Sequence, residues 1–166
     1  PGSLQDEGSS LRGALKGWFK HGACAHALWG PDLQMPHVPD SPDEDWWLDA
    51  VKRPLGAYYR VAPDNISDMH AALNEVGILY ASAGCHPGWD RGFDVPPCAD
   101  PPTACSEVWK IPVAGGKAAH PGHAFAIVGY DENGFLVHNS WGTGWGTHGY
   151  AILTYDDWLA NAMDCW

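Results

Sequence analysis

A histidine and an asparagine sixteen residues apart, His123 and Asn139, stand at the two ends of what reads as a β-hairpin. The segment runs Gly122-His-Ala-Phe-Ala-Ile-Val-Gly-Tyr-Asp131, then Glu-Asn-Gly-Phe-Leu-Val-His-Asn139. His123 opens one strand, Asp131 to Gly134 make the turn, and Asn139 closes the partner strand. A hairpin of that length brings its two ends together. An asparagine oxygen accepting the imidazole N–H would fix the ring's orientation and its tautomer. The other ring nitrogen would then face outward, toward a nucleophile or a substrate. Trp141, two residues beyond Asn139, is placed to shield that hydrogen bond from water.

A nucleophile is the obvious missing piece, and none of the five cysteines convinces. Cys24 follows the C-terminal end of its predicted helix, where the helix dipole raises a thiol pKa instead of lowering it. Cys85 and His86 follow a predicted strand, and their loop could approach the cleft. Cys98 and Cys105 bracket a short Pro-rich loop and could pair as a disulfide in an oxidising compartment, or stay as two free thiols. Cys165 lies in the tail. A metal centre is the rival chemistry, given nine histidines. No Cys-x-x-Cys and no His-Glu-x-x-His occurs, and the ligand-like His120-Pro-Gly-His123 spacing uses a histidine already explained. Neither a metal nor a cofactor is expected.

The elements that must hold these groups read as follows. Residues 9 to 21 form a helix, capped by Ser9 or Ser10, with Leu11, Leu15, Trp18 and Phe19 as its apolar stripe and Gly22 as its stop. Residues 30 to 45 are a Pro-rich acidic surface loop. Ala57 to Val61 reads as a short strand. Ser67 to Val76 is a helix capped by Ser67, and Ile78 to Ala83 a buried strand. Residues 84 to 106 are long, irregular and rich in Pro, Gly and Cys. Such loops in compact domains are usually functional or disordered. The hairpin follows, then a glycine-rich turn at 142 to 149, a strand from Tyr150 to Tyr155, and a short helix around Trp158 to Ala162. Helical segments come first and antiparallel strands last, which is an α+β pattern.

The run Asn139-Ser-Trp-Gly-Thr-Gly-Trp-Gly146 with Gly149-Tyr150, behind His123-Ala and Ile127-Val-Gly-Tyr130, resembles the papain-like cysteine proteases. The resemblance is specific after residue 120 and weaker before it. It implies a papain-like fold, with His123 as general base and imidazolium partner and Asn139 as its orienter. It implies substrate contacts at Trp141, on the primed side, and at Gly122, with Ala81 near the pocket for a substrate side chain. That family also needs a cysteine at a helix N-terminus, in a Gln-Gly-x-Cys-Gly-x-Cys-Trp type of motif that this sequence lacks. In the family the histidine follows the cysteine by roughly 130 to 150 residues. Counting back from His123 places the nucleophile before Pro1, so the fold is expected to be incomplete at its N-terminus.

The expected organisation is a single papain-like domain over residues 4–166, with a mainly helical part over 4–83 and a β part over 107–166. Pro1-Gly2-Ser3 reads as a linker scar left by cloning. The formal charge of −11 argues against nucleic-acid and anionic-membrane partners. No run approaches the roughly 18 apolar residues of a membrane span. A secreted or extracytoplasmic setting is favoured over others. The expected partners are a peptide or protein substrate, and a covering element: the N-terminal segment, another chain or a second copy. The function this implies is cysteine-type peptide hydrolysis with the nucleophile upstream of, or outside, this chain. The alternatives are a pseudoprotease that binds without cutting and a toxin or effector domain on the same fold.

Overall fold

The computed structural model describes residues 9–29, 45–97, 107–113 and 122–166. The expectations for residues 1–3, for the 30–45 loop and for the Cys98–Cys105 pair therefore lie wholly or largely outside the described residues. The chain divides into two compact units, Pro1–Tyr59 and Arg60–Trp166.

In the first unit, α1 spans Leu11–His21 and α2 spans Asp45–Ala50. Ser10 caps α1 by accepting the Gly13 N–H at 3.1 Å. Gly22 ends it with φ of +77°, and a side chain there would collide with the Ala50 carbonyl. Leu11 and Leu15 are buried as their spacing requires. Trp18 and Phe19 are not: they are 44% and 51% exposed, so only the N-terminal half of the expected stripe is covered by described residues. The Trp18 indole donates to the Arg53 carbonyl at 3.0 Å, and Phe19 meets Tyr58 edge-on. The strand expected at Ala57 to Val61 does not form. Among the described residues no strand pairs with it in a ladder.

The second unit is built on a five-stranded antiparallel sheet in the order β4-β3-β2-β1-β5. The strands are β1 Leu79–Gly84, β2 Gly122–Tyr130, β3 Gly134–His138, β4 Tyr150–Thr154 and β5 Ala162–Cys165. Helix α3, Ile66–Val76, starts one residue earlier than its sequence indicates. Asn65 caps it in place of Ser67, accepting the Asp68 N–H at 3.1 Å. Helix α4, Tyr155–Asn161, follows β4 directly, with Thr154 as its cap. Strand β5 is too short for its alternation to register in the sequence. It closes the sheet edge, and its Cys165 carbonyl accepts the Val61 N–H at 3.0 Å. A 3-10 helix, Trp89–Asp94, gives order to part of the long irregular segment.

The core lies between the sheet and the two helices of this unit. Met69 and Leu73 of α3, Ile127, Phe135, Val137 and Leu153 of the sheet, and Trp158 of α4 are all buried. Trp158 is fully enclosed, and its indole donates to the Pro63 carbonyl at 2.7 Å. That satisfies the one polar atom of a side chain whose burial is worth about 3 kcal/mol.

Candidate active site

The β2–β3 ladder explains how the two candidate residues meet. Ala126 pairs with His138 and Ile127 with Val137. Continuing that register sets Asn139 across from Phe125, a diagonal neighbour of His123 on the same sheet face. The two side chains meet there: His123 Nε2 lies 2.8 Å from Asn139 Oδ1. The same Oδ1 accepts the Ser140 backbone N–H at 2.8 Å. A backbone N–H can only donate, so that contact identifies the amide oxygen, and the imidazole must carry its hydrogen on Nε2. His123 Nδ1 has no hydrogen-bond partner among the described residues and remains available.

Asn139 is itself held from two sides. Its backbone N–H donates to the Gly149 carbonyl at 2.9 Å, which ties the end of β3 to the glycine-rich turn. Gly142 and Gly149 both sit at positive φ, near +88° and +89°. The sequence of this turn is glycine-rich because its backbone visits the left-handed region there. Asn139 is 4% exposed, and its Nδ2 has no partner among the described residues. A buried unpaired amide N–H costs about 1–3 kcal/mol, a cost tolerated more readily at functional sites than elsewhere.

Three aromatic rings surround the imidazole. Trp141 lies 4.8 Å from it at 38°, Trp89 6.0 Å away at 82°, and Phe125 6.1 Å away at 34°. Trp141, two residues after Asn139, thus packs beside the His123 ring. Trp145 is fully buried behind it and donates from its indole to the Trp89 carbonyl at 2.8 Å.

The remaining sequence-derived candidates fall in different places. Gly122 pairs with Gly84 at the start of β2, and a side chain there would meet Met163. Ala81 pairs with Phe125 and is fully buried in the core. Cys85 is 5% exposed, and burial, with Asp90 and Asp157 nearby, pushes its thiol up to about 12. Burial also pushes Cys165 up to about 12, with Asp164 adding to the effect. Neither forms a thiolate near neutral pH. Cys24 is half-buried beyond the C-terminal end of α1. Among the described residues, no group of three His, Cys, Asp or Glu side chains is arranged to hold a metal ion. None of the helices there is long and apolar enough to cross a membrane.

The structure also contains a pair that the sequence did not disclose. His86 Nε2 lies 2.8 Å from Asp157 Oδ2, and both side chains are 1% exposed. The Gly88 backbone N–H donates to His86 Nδ1 at 3.1 Å, so this imidazole too carries its hydrogen on Nε2 and gives it to the carboxylate. The residues are 71 positions apart, and no local pattern links them. The sequence brings forward Cys85 and His86 as a loop that could approach the cleft, but nothing in it points to Asp157 as the partner of His86.

Comparison with known proteins agrees with this geometry. Residues 108–163 match the model of the papain family cysteine proteases. Papain of Carica papaya is 64% identical over 28 residues, which are 17% of this chain and 8% of that protein. Among solved structures, xylellain, a cysteine protease from Xylella fastidiosa, superposes with a TM-score of 0.73 at 25% identity, over 97% of this chain and 61% of that one. Digestive procathepsin L 3 of the Tenebrio molitor larval midgut shares the fold, with a TM-score of 0.65 at 15% identity, over 99% of this chain and 50% of that one. The chain thus spans less than two thirds of the length of each of these relatives.

Proposed function

We propose, for a chain that is papain-like in its α+β fold and belongs to the papain cysteine protease family over residues 108–163, that His123 and Asn139 serve a cysteine nucleophile supplied from upstream of, or outside, these residues. The observation that carries this reading is the 2.8 Å contact from His123 Nε2 to Asn139 Oδ1, which leaves Nδ1 without a hydrogen-bond partner among the described residues. A bare Nδ1 can take a thiol proton, and the resulting imidazolium stabilises the thiolate beside it. The sulfur attacks the carbonyl carbon of a peptide or protein substrate. Nδ1–H gives its proton to the departing amine, leaving a thioester. Water then adds with Nδ1 as base, and the acid and the free thiol are released. Trp141 borders the leaving-group side, and Gly122 supplies a further substrate contact. Ala81 drops out of the substrate-lining set, because a fully buried methyl offers no surface.

A second reading has one observation behind it. Cys85 and Cys165 are both buried with thiols near 12, so neither can serve His123, and the fold would then act as a binding module without chemistry. The two readings separate on hydrolysis of a fluorogenic peptide by the natural polypeptide. Turnover that His123→Ala removes supports the peptidase. Peptide binding without turnover supports the module.

A further inference from the structure

The buried His86–Asp157 pair is not used by the chemistry above, yet it lies one short step from the active-site imidazole. Asp157 projects from the first turn of α4, where the Thr154 hydroxyl accepts its backbone N–H at 3.2 Å. Its Oδ1 takes the Asn161 amide at 2.8 Å, and its Oδ2 takes His86. His86 in turn receives the Gly88 N–H on its ring, and its backbone carbonyl receives the Trp89 N–H at 3.0 Å. Gly88 admits no side chain, since a Cβ there would strike the Pro112 carbonyl and the His86 ring. The start of the 3-10 helix is therefore clamped onto the His86 imidazole. Trp89, its first residue, is 1% exposed and presses edge-on against His123.

The Trp89 ring is not located by a hydrogen bond of its own. Its indole Nε1 is buried and has no partner among the described residues. A tryptophan kept in such a place is held by its backbone and its neighbours. Those anchors are the His86 clamp on one side and the Trp145 indole on its carbonyl on the other.

We propose that His86 and Asp157 are positioning residues for the active site, fixing Trp89 as the wall that holds the His123 ring in the orientation where Nε2 meets Asn139 and Nδ1 is left for chemistry. Without that wall the imidazole can rock away from Asn139, and the advantage of one tautomer over the other shrinks. The inference rests on His123 being the active-site base. Its test reads the ring and not turnover, so the two claims can fail separately.

The measurement is the two-bond proton–nitrogen spectrum of the 166-residue chain, recorded about two pH units above the ordinary histidine value. A single Nε2–H tautomer gives His123 two widely separated ring-nitrogen signals. Trp89→Leu is expected to draw the two signals toward each other, and Trp89→Phe, which restores an aromatic wall, to return them most of the way. His86→Leu should reproduce the Trp89→Leu spectrum, and the double variant should move the signals no further. Met69→Ala, a core truncation on α3, should lower the melting temperature and leave the His123 signals in place. If His86→Leu fails to fold, His86→Gln tests the same link. It keeps a donor for Asp157 but places no ring nitrogen at the Nδ1 position that accepts the Gly88 N–H, so the signals should again converge. Wild-type His123 signals in a folded His86→Leu or His86→Gln variant would overturn the proposal. So would an equal response to Met69→Ala, because that would make the effect general loosening.

Discussion

Two imidazoles in the sheet unit each place Nε2 2.8 Å from a side-chain oxygen, and they come to opposite uses. His86 is enclosed, its acceptor is a carboxylate, and its Nδ1 is occupied by the Gly88 N–H. Every valence of that ring is spent inside the protein. His123 is only part-buried, its acceptor is a neutral amide, and its Nδ1 has no partner among the described residues. What separates a structural histidine from a chemical one is thus not the first hydrogen bond but the state of the second nitrogen. The acceptor matters as well. A neutral amide orients the ring without a fixed charge against it, whereas a buried carboxylate binds it in place.

That contrast fails first if a thiol inside the sheet unit can serve His123. With thiols pushed up to about 12, Cys85 and Cys165 carry a thiolate fraction of about 10⁻⁴ at pH 8. Iodoacetamide on the native chain at that pH should label Cys24 and leave these two until the protein is unfolded. The pH dependence has a definite sign. The ordinary value is 9.0 and the folded value is higher. The stability that comes from keeping both thiols protonated is therefore complete below about pH 9 and is lost as pH rises toward 12. Denaturant melts at stepped alkaline pH would show a falling midpoint across that window.

The next largest effect separates the two histidines by activity. His123→Ala in the natural polypeptide should lower kcat/KM for a peptide by about 10³-fold or more, as expected for removal of a general base. Stability should separate them in the other direction. Asp157→Ala leaves a buried imidazole N–H unpaired and should cost about 3 kcal/mol by urea denaturation. Asn139→Ala is the smallest of these. It removes one orienting hydrogen bond, so a loss of roughly 10- to 100-fold in kcat/KM is expected with a minor change in stability. If Asn139→Ala instead unfolded the chain while Asp157→Ala left it intact, the roles assigned to the two pairs would be reversed.

How legible this was in the sequence follows the same division. The hairpin, the approach of His123 to Asn139 and that of Trp141 to His123 were readable, because they depend on residues within one ladder and its turn, whereas the irregularity between Ile127 and Gly129 that sets the final register was not. The helix at Leu11–His21 and its Ser10 cap were readable from local capping chemistry for the same reason. Strand β5, the α3 cap at Asn65 and the missing strand at Ala57 to Val61 were misread or missed, since short edge elements are decided by available partners and not by their own alternation. The His86–Asp157 pair was invisible, as it joins two elements 71 residues apart through side chains with no shared motif. Ala81 was expected near a substrate and lies in the core instead, because β1 is buried along almost its whole length.

The central claim is that His123 is the base of a thiol site whose sulfur is not among these 166 residues. Treating the natural polypeptide with a thiol-reactive peptide-like inhibitor and locating the adduct by mass tests it most directly. A single adduct is expected on a cysteine outside these residues, lost when His123 is replaced by alanine. An adduct on one of the chain's own five cysteines, or one that forms equally well in His123→Ala, would contradict it.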